Sequence, residues 1–333
     1  MSSLPARHRI GLVLVSAAVA FACAAPANAE MLEPQSPAWQ VSTPFKKSTE
    51  ARTNLSGAAC ATPTSCLIVN DEKKYAQFFT MADTTINPGE VILLLGEQAS
   101  GDPDAEGAAY DDGYFYVIGS HGRKRHHPED SNPASYHVFR IPVDKATGKT
   151  AFAVSDDEVV GVEASVMRLR GAIKDALPAA YDKPLGENGA NIEGIAVRDG
   201  RMYLGFRGPS DNGNAYILIV DAAAVFSEKA PLNAELKTVP LGTTVGIRDI
   251  AAVPGGLLLL TGPVNEQPLT PSVVFYDPKT GALGTSHPLK VADTTAKAET
   301  LLVLSDAAGQ PWRVLVMFDG PENGAPAEYR VPR

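Results

Sequence analysis

A unit of two apolar strands around a turn recurs five times along this chain of 333 residues, and it constrains the fold more than any other feature. Each copy opens with a polar or small residue and continues through an apolar run, a turn of Gly, Asp or Pro, and a second apolar run. The aligned opening residues are Ser56, Glu106, Glu193, Asp249 and Glu299, at spacings of 50, 87, 56 and 50 residues. Because strands paired around such turns form hairpins, the repeat predicts an array of β-hairpin units.

Further strand-like stretches follow most of the pairs, at residues 136–143, 215–220 and 273–276. Four strands in a period of about 50 residues are typical of one β-propeller blade. We therefore expect an all-β protein that forms a single propeller with five blades. A sixth, degenerate blade in the 87-residue gap is one alternative, and a β-sandwich or a pair of smaller β-domains is another.

Two other segments bear on the architecture. Val166, Leu169, Ile173 and Leu177 have the spacing of an amphipathic helix, which predicts a helix over residues 165–181, inserted between blades. Residues 39–45 resemble an edge strand. We expect this strand to complete the last blade and close the ring, which would cover an exposed sheet edge.

The N-terminus has the features of an export signal. Arg7 and Arg9 precede an apolar run at residues 10–22, and Ala27-Asn28-Ala29 is a small-x-small cleavage site. This pattern predicts a signal peptide over residues 1–29 and a mature domain over residues 30–333, in the periplasm or outside the cell. The alternative is lipoprotein processing at Cys23. No later apolar run approaches the length of a transmembrane helix, so we expect no membrane span.

Cleavage would remove Cys23 and leave two cysteines, Cys60 and Cys66. An even number of cysteines in an exported chain favours a disulfide between them. Two buried free thiols are the alternative.

The repeat also predicts where charged residues meet. In a propeller the inner strand of each blade begins beside the central axis, so Glu106, Glu193, Asp249 and Glu299 should form a ring at one face. Residues that follow the second strand of a blade, or that neighbour the ring, should lie at the same face: His121, Arg123, Arg207, Arg248 and Asp319.

Carboxylates that converge on an axis need a cation, an arginine partner or a proton. Oxygen ligands without cysteine favour Ca²⁺ or Mg²⁺, so we predict a metal site formed by Glu106, Glu193 and Glu299. We expect no nucleotide cofactor, because the chain contains no P-loop and no GxGxxG motif. The net charge of −9 argues against a nucleic-acid partner.

Two functions fit these features. The first is a metal-assisted hydrolase of a phosphoester or other ester, with Glu106, Glu193 and His121 as catalytic residues. In this hypothesis a small anionic ligand would be bound by Arg123, Arg207, Arg248, Asp249 and Asp319. The second is a non-catalytic propeller that binds a ligand or an exported protein. A bound cation on the axis would favour the hydrolase, whereas arginine–carboxylate pairs there would favour the binding protein. Acidic residues at repeated positions can also simply cap turns.

Several motifs also resemble a bacterial family of proteins of unknown function, DUF3616. They are Glu106-Gly107, Gly119-Ser120-His121, Asn191-Ile192-Glu193-Gly194 and Gly246-Ile247-Arg248-Asp249. The resemblance covers roughly residues 50–320. The family is similar to propeller proteins that include phytase-like esterases, so the resemblance implies a propeller and no established activity. The first blade departs from the pattern, because Ser56 stands where the other copies carry an acidic residue.

Overall fold

Each of the five hairpins forms the two inner strands of a separate antiparallel sheet. The computed structural model describes residues 1, 29–46, 48–124, 127 and 129–333, and in this part of the chain the sheets are the five blades of a β-propeller. The predicted all-β class and five-blade propeller are therefore confirmed. The described residues form no sixth sheet in the gap between the second and third hairpins.

The blades follow one another along the chain. Blade one contains β2 (Leu55–Thr62), β3 (Ser65–Asn70), β4 (Tyr75–Ala82) and β5 (Thr85–Leu93). Blade two contains β6 (Ala105–Asp111), β7 (Tyr114–Gly119), β8 (His137–Pro142) and β9 (Glu163–Val166). Blade three contains β10 (Asn191–Arg198), β11 (Arg201–Gly208), β12 (Ala215–Asp221) and β13 (Glu235–Val239).

Blade four contains β14 (Val245–Val253), β15 (Gly256–Pro263), β16 (Ser272–Tyr276) and β17 (His287–Pro288). Blade five has three strands, β18 (Lys297–Ser305), β19 (Trp312–Asp319) and β20 (Ala327–Val331). The α-helices are α1 (Thr49–Thr53), α2 (Arg168–Ala176) and α3 (Ala222–Val225). None of the helices in the described ranges is long and apolar enough to cross a membrane.

The hydrophobic core is divided among the interfaces between neighbouring blades. Between blades one and two, for example, Leu67 and Ile92 belong to the same buried cluster as Phe115, Phe139 and Ile141. Burying side chains on both faces of each blade explains why the inner strands are continuous apolar runs rather than alternating ones. Adjacent blades are thus held together mainly by the hydrophobic effect.

The N-terminal segment closes the ring differently from the prediction. Its short strand β1 (Gln40–Val41) pairs in parallel with β5 of blade one, not with the last blade. The segment reaches blade one along the outer rim, where the Gln35 amide donates to the Glu328 carbonyl at 2.8 Å. The Trp39 Nε1 also donates to the Glu328 carboxylate, at 3.0 Å. The segment therefore crosses blade five with few backbone hydrogen bonds and forms a strand only beyond it.

The predicted helix over residues 165–181 is shorter than expected. α2 spans Arg168–Ala176, and Leu169 and Ile173 are fully buried as the periodicity required. Ser165 and Val166 instead belong to β9, which pairs with β8 as the outer strand of blade two. The prediction placed the start of the helix too early because Val166 has the helical spacing by coincidence; its side chain is exposed.

The predicted Cys60–Cys66 disulfide is present. It joins residues that face each other across β2 and β3 in blade one. Disulfides persist in oxidising compartments, which agrees with an extracytoplasmic environment. Residues 2–28 of the predicted signal peptide, with Arg7, Arg9 and Cys23, lie outside the described residues.

Candidate functional site

A β-bulge at the start of the inner strand sets the direction of each axial side chain. In blade two Ala105 pairs with Gly119 and Gly107 with Ile118, which leaves Glu106 as the extra residue. The same register shift makes Glu193 the extra residue of blade three and Glu299 that of blade five. Because a bulge redirects the side chain of the inserted residue, it can aim these carboxylates away from the regular alternation of the strand.

In blade four the bulged residue is Arg248, not Asp249, since Ile247 pairs with Thr261 and Asp249 with Leu260. The alignment that placed Asp249 in the ring was therefore wrong by one residue. A bulge places two residues of one strand opposite a single residue of the next strand. It leaves no gap in the sequence, so hydrophobic patterning alone could not reveal the shift.

The bulged residues of blades three, four and five form a buried ion-pair network. Arg207 Nη1 lies 2.8 Å from Glu193 Oε1, and Arg248 Nε lies 3.0 Å from Glu193 Oε2. Arg248 also bonds both carboxylate oxygens of Glu299, with its Nε 3.0 Å from Oε2. Two arginines thus match two glutamates, and all four residues are buried. We refer to Glu193, Arg207, Arg248 and Glu299 as the axial network.

Glycine next to the bulges of blades two and three allows the inner strands to approach closely. A Cβ atom on Gly107 would lie 2.8 Å from the Glu193 carbonyl oxygen of the neighbouring blade, and one on Gly194 would lie 3.1 Å from the Asp249 Cα. Contacts below 3 Å cannot be accommodated without moving backbone, so a larger residue at Gly107 would separate blades two and three. The Glu-Gly pairs of the sequence therefore belong to the packing around the axis.

Asp249 connects blades four and five. Its Oδ2 accepts from the Leu301 amide at 2.7 Å, and its Oδ1 accepts from the Ile250 amide at 2.8 Å. Burial raises the pKa of this carboxyl well above its usual range, although the two amide hydrogen bonds oppose the shift. These contacts give Asp249 a structural role beside the axial network.

Glu106 differs from the other bulged residues. Its side chain forms no hydrogen bond or ion pair with any residue in the described part of the chain, and it is partly exposed to a cavity. Loss of solvent raises the pKa of Glu106 well above the usual range, and Asp104, Glu193 and Asp71 raise it further, while Arg207 lowers it. The surroundings of Glu106 thus favour its neutral form more than water does.

The cavity above Glu106 has a volume of about 780 Å³. Carboxylates from several blades and connections dominate its charged lining: Asp71, Glu72, Asp102, Asp104, Glu106, Glu187 and Glu266. The basic residues that line it are Arg123, Lys124, His127 and Arg207. Each of them has an acidic partner within 4.0 Å: Asp182 for Arg123, Asp130 for Lys124, Glu129 for His127 and Glu193 for Arg207. Among the residues that the structure describes, the lining therefore carries more acidic than basic side chains.

The other predicted site residues do not line this cavity. Arg248 and Asp249 lie below it in the buried layer, and Asp319 lies within 4.0 Å of Lys297. His121 is 2% exposed, and burial, assisted by Arg170 and His137, lowers its pKa to about 3. Neither ring nitrogen of His121 has a hydrogen-bond partner in the described structure. The His121 side chain is buried and does not line the cavity, so it is not placed to act there as the predicted catalytic residue.

The predicted metal ligands are not brought together as a set. Glu193 and Glu299 are engaged by arginines, and only Glu106 faces the cavity. Within the described ranges, no group of three or more His, Cys, Asp or Glu residues is placed to hold a metal ion.

Sequence reasoning missed much of the acidic lining. Glu266 follows the second strand of blade four, the position that identified Asp319 in blade five, so the repeat could have revealed it. Asp102, Asp104 and Glu187 lie in connections between blades, which have no periodicity to identify them. Asp104 is fixed by Ser120, whose hydroxyl donates to its carboxylate.

Comparison with solved structures finds proteins of low sequence similarity. An exo-β-1,3-galactanase from Phanerochaete chrysosporium is 12% identical over 90% of this chain, with a TM-score of 0.47, and the match spans 64% of the galactanase chain. A streptogramin B lyase is 10% identical over 87% of this chain and 73% of its own, with a TM-score of 0.37. The Dos1 propeller is 9% identical over 87% of this chain and 75% of its own, with a TM-score of 0.35.

Comparison with curated proteins finds no match. A family model described as "Protein of unknown function (DUF3616)" matches residues 54–329, which include all five blades up to Tyr329 in the last strand. The match confirms the resemblance carried by the Glu-Gly and Gly-Ile-Arg-Asp motifs, and the chain belongs to the DUF3616 family.

Proposed function

We propose that this protein is a ligand-binding propeller whose site is the cavity above Glu106. The observation that carries the proposal is the contrast among the charged bulged residues. Glu193, Arg248 and Glu299 are paired with one another or with Arg207, whereas Glu106 has no such partner among the described residues and faces the cavity. An ionisable group with a perturbed pKa in a cavity is a candidate for ligand contact.

The axial network supports a binding role because it is electrically balanced. Buried charges are retained when they are paired and hydrogen-bonded. Glu193 accepts a hydrogen bond from Arg207, and Glu299 accepts from Arg248, which also forms an ion pair with Glu193. These residues neutralise one another, and they leave Glu106 as the bulged carboxyl group that faces the cavity. Arginine–carboxylate pairs on the axis are the arrangement that favours the non-catalytic alternative.

An ester hydrolase is the second candidate, and one observation favours it. A carboxyl group with a raised pKa, such as Glu106, is suited to act as a general acid. The metal-assisted form of this hypothesis requires Glu106, Glu193 and Glu299 to share Ca²⁺ or Mg²⁺. The donor set fits poorly, because arginines already neutralise two of the three carboxylates.

The charge of the site argues against the anionic ligand expected for Arg123, Arg207 and Arg248. Each of these arginines has a carboxylate partner, so none adds an unbalanced positive charge to the cavity. An exported location remains part of the proposal, and the Cys60–Cys66 disulfide supports it.

A thermal-shift screen of amines, neutral sugars, carboxylates and phosphoesters tests the proposal. A compound that binds only the native protein raises Tm by mass action. We expect at least one class to stabilise the wild type, and Glu106→Gln to remove that stabilisation. Glu228→Gln is the matched control, because Glu228 is exposed and does not line the cavity.

Three results separate the candidates. Stabilisation that survives Glu106→Gln contradicts a binding site at Glu106. If the wild type turns over an ester or lactone equally well with and without chelator, and Glu106→Gln abolishes that turnover, the result supports a metal-independent hydrolase. Turnover that also requires added Ca²⁺ or Mg²⁺ supports the metal-assisted form.

A further inference from the structure

We infer that Asn212 is a site of spontaneous covalent modification, at which the side-chain amide is lost as ammonia and aspartate or isoaspartate is formed. This inference is independent of the proposed function. It depends on a comparison of the three Asn-Gly sequences of the chain, Asn188-Gly189, Asn212-Gly213 and Asn323-Gly324. Asn-Gly is a sequence prone to this reaction, because glycine has no Cβ to shield the backbone nitrogen that attacks.

The reaction needs a free backbone nitrogen next to a free asparagine side chain. The nitrogen of the glycine attacks Cγ of the asparagine and forms a C–N bond, while the bond between Cγ and Nδ2 breaks. The amide proton of the glycine leaves with the side-chain nitrogen, so the products are a cyclic succinimide and ammonia. Water then opens the ring at one of its two carbonyl groups, which gives aspartate or isoaspartate and requires no oxidant or cofactor.

Asn188-Gly189 is protected at both reacting groups. The Asn188 side chain donates to Asp211 Oδ1 at 2.7 Å and accepts from the Ser210 amide at 2.8 Å. The Gly189 amide donates to the Pro184 carbonyl at 3.0 Å, and Gly189 is buried. This nitrogen can reach Cγ only after the surrounding chain opens locally.

Asn323-Gly324 is protected in the same way. Asn323 Oδ1 accepts from the Phe45 amide of the N-terminal segment at 2.8 Å. The Gly324 amide donates to the Pro321 carbonyl at 3.1 Å, and Gly324 is buried. Attack at this site would therefore break a contact between the N-terminal segment and blade five.

Asn212-Gly213 lacks this protection. The two residues form the tip of a hairpin loop that is closed by backbone hydrogen bonds of 3.0 and 2.9 Å between Asp211 and Asn214. The carbonyl of Gly213 accepts from the Gly242 amide at 2.9 Å. Asn212 is exposed, and neither its side chain nor the Gly213 amide forms a hydrogen bond within the described chain.

The backbone conformation does not separate the three sites. Asn188, Asn212 and Asn323 are all left-handed, with φ of 61°, 53° and 58°. Each asparagine must rotate out of this conformation before the nitrogen can attack. At Asn212 the rotation moves an exposed loop tip, whereas at the other two sites it also breaks hydrogen bonds of both reacting groups. The free energy of local opening is therefore lowest at Asn212.

Peptide mapping by mass spectrometry tests the inference, because trypsin places the three Asn-Gly sequences on separate peptides. The folded protein is incubated in mildly alkaline buffer, which favours attack by the amide nitrogen. We expect modification at Asn212 to be about tenfold faster, or more, than at Asn188 or Asn323. Incubation in denaturant is the control. It should modify the three sites at similar rates, since each asparagine is preceded by an acidic residue and followed by glycine.

A substitution provides a second measurement. Isoelectric focusing of the aged wild type should show a more acidic band, because the reaction replaces a neutral amide with a carboxylate. Asn212→Gly should remove most of that band and keep the hairpin, since glycine tolerates a positive φ. Asn233→Gly is the matched control, because Asn233 is also exposed and left-handed, with φ 47°, but is followed by alanine. It should leave the acidic band unchanged.

Three outcomes would each overturn the inference. The first is modification of Asn188 or Asn323 in the folded protein as fast as that of Asn212. The second is an intact Asn212 in the folded protein after a time in which the denatured chain is modified there. The third is an acidic band that persists undiminished in Asn212→Gly.

Discussion

Glu106 and Glu193 occupy the same position in adjacent blades, yet their surroundings give them different roles. Both are the extra residue of a bulge and both precede glycine. Glu193 is 2% exposed and contacts two arginines, whereas Glu106 is partly exposed to the cavity and has no cationic partner among the described residues. The strand position places the carboxylate near the axis, but the neighbouring blades determine whether it is a structural charge or a binding group.

The difference between Glu106 and Glu193 originates in the residues that their neighbouring blades supply at the axis. Blade four supplies Arg248 at the bulge, and that guanidinium lies between Glu193 and Glu299. Blade one supplies Ser56 at the equivalent position, so the other neighbour of Glu106 brings no charge. The single arginine among the bulged residues, Arg248, therefore pairs with Glu193 and Glu299 on one side of the axis and leaves Glu106 outside these pairs on the other.

The largest effect should come from Arg248→Leu. This change leaves Glu193 without one of its two arginine partners and Glu299 without the guanidinium that it contacts, in a buried layer. We expect a loss of about 3–5 kcal/mol in the free energy of unfolding, the cost of stranding a buried charge. Urea denaturation measures it. Arg52→Leu, which breaks a surface pair with Glu322, should cost less than about 1 kcal/mol. Similar losses in both variants would show that the buried axial network contributes no more to stability than a surface ion pair.

Glu193→Gln should have the next largest effect, about 3 kcal/mol, because the amide keeps the shape of the side chain but leaves Arg207 and Arg248 with one carboxylate fewer. Unfolding in the presence of Ca²⁺ and in chelator provides the comparison. Equal losses in the two buffers are expected of a structural charge. A loss that appears only with Ca²⁺ would instead support the metal site.

His121 provides a test of burial on the periphery of the site. Its pKa is lowered to about 3 in the folded protein, against about 6.5 unfolded, so the unfolded chain binds more protons between these values. Stability should therefore fall as the pH drops below about 6.5, and this residue should account for roughly 2–3 kcal/mol at about pH 4.5. His121→Asn, which tolerates the left-handed backbone at φ 53°, should remove that part of the acid sensitivity. An unchanged pH profile would mean that His121 is solvated.

Glu106→Gln should have the smallest effect on stability. The raised pKa means that the folded protein is most stable when Glu106 is protonated and loses that contribution as the pH rises through the folded pKa. Glutamine mimics the neutral form, so we expect a loss of no more than about 0.5 kcal/mol at low pH and a gain in alkaline solution. Denaturation midpoints of the variant and the wild type across pH provide the measurement. A large loss at every pH would place Glu106 in the same class as Glu193.

Much of the fold could be predicted from the sequence, because hairpin signals recur at a blade-sized period and each blade buries its own apolar strands. The third strands at Ala215–Asp221 and Ser272–Tyr276 and the Cys60–Cys66 pair followed from the same pattern. The path of the N-terminal segment could not be predicted in this way. β1 forms only two residue pairs with blade one, and its sequence does not distinguish the outer strand of one blade from that of another.

The candidate site was harder to predict for two physical reasons. The bulge that makes Arg248 rather than Asp249 the axial residue depends on pairing with β15, which a single strand does not reveal. The pairing of Arg207 and Arg248 with glutamates depends on contacts between residues up to 55 positions apart in the chain, and these convert expected anion-binding groups into structural ones.

Urea denaturation of Glu106→Gln and Glu193→Gln, each measured with and without a compound that stabilises the wild type in the thermal-shift screen, tests the central claim most directly. The claim is that Glu106 serves binding and Glu193 serves stability, although the two carboxylates occupy equivalent positions. Glu193→Gln should unfold at a much lower urea concentration and still gain stability from the compound, whereas Glu106→Gln should keep a midpoint close to that of the wild type and gain none. The same pattern in both variants, whether both lose stability or both lose the response to the compound, would contradict this claim.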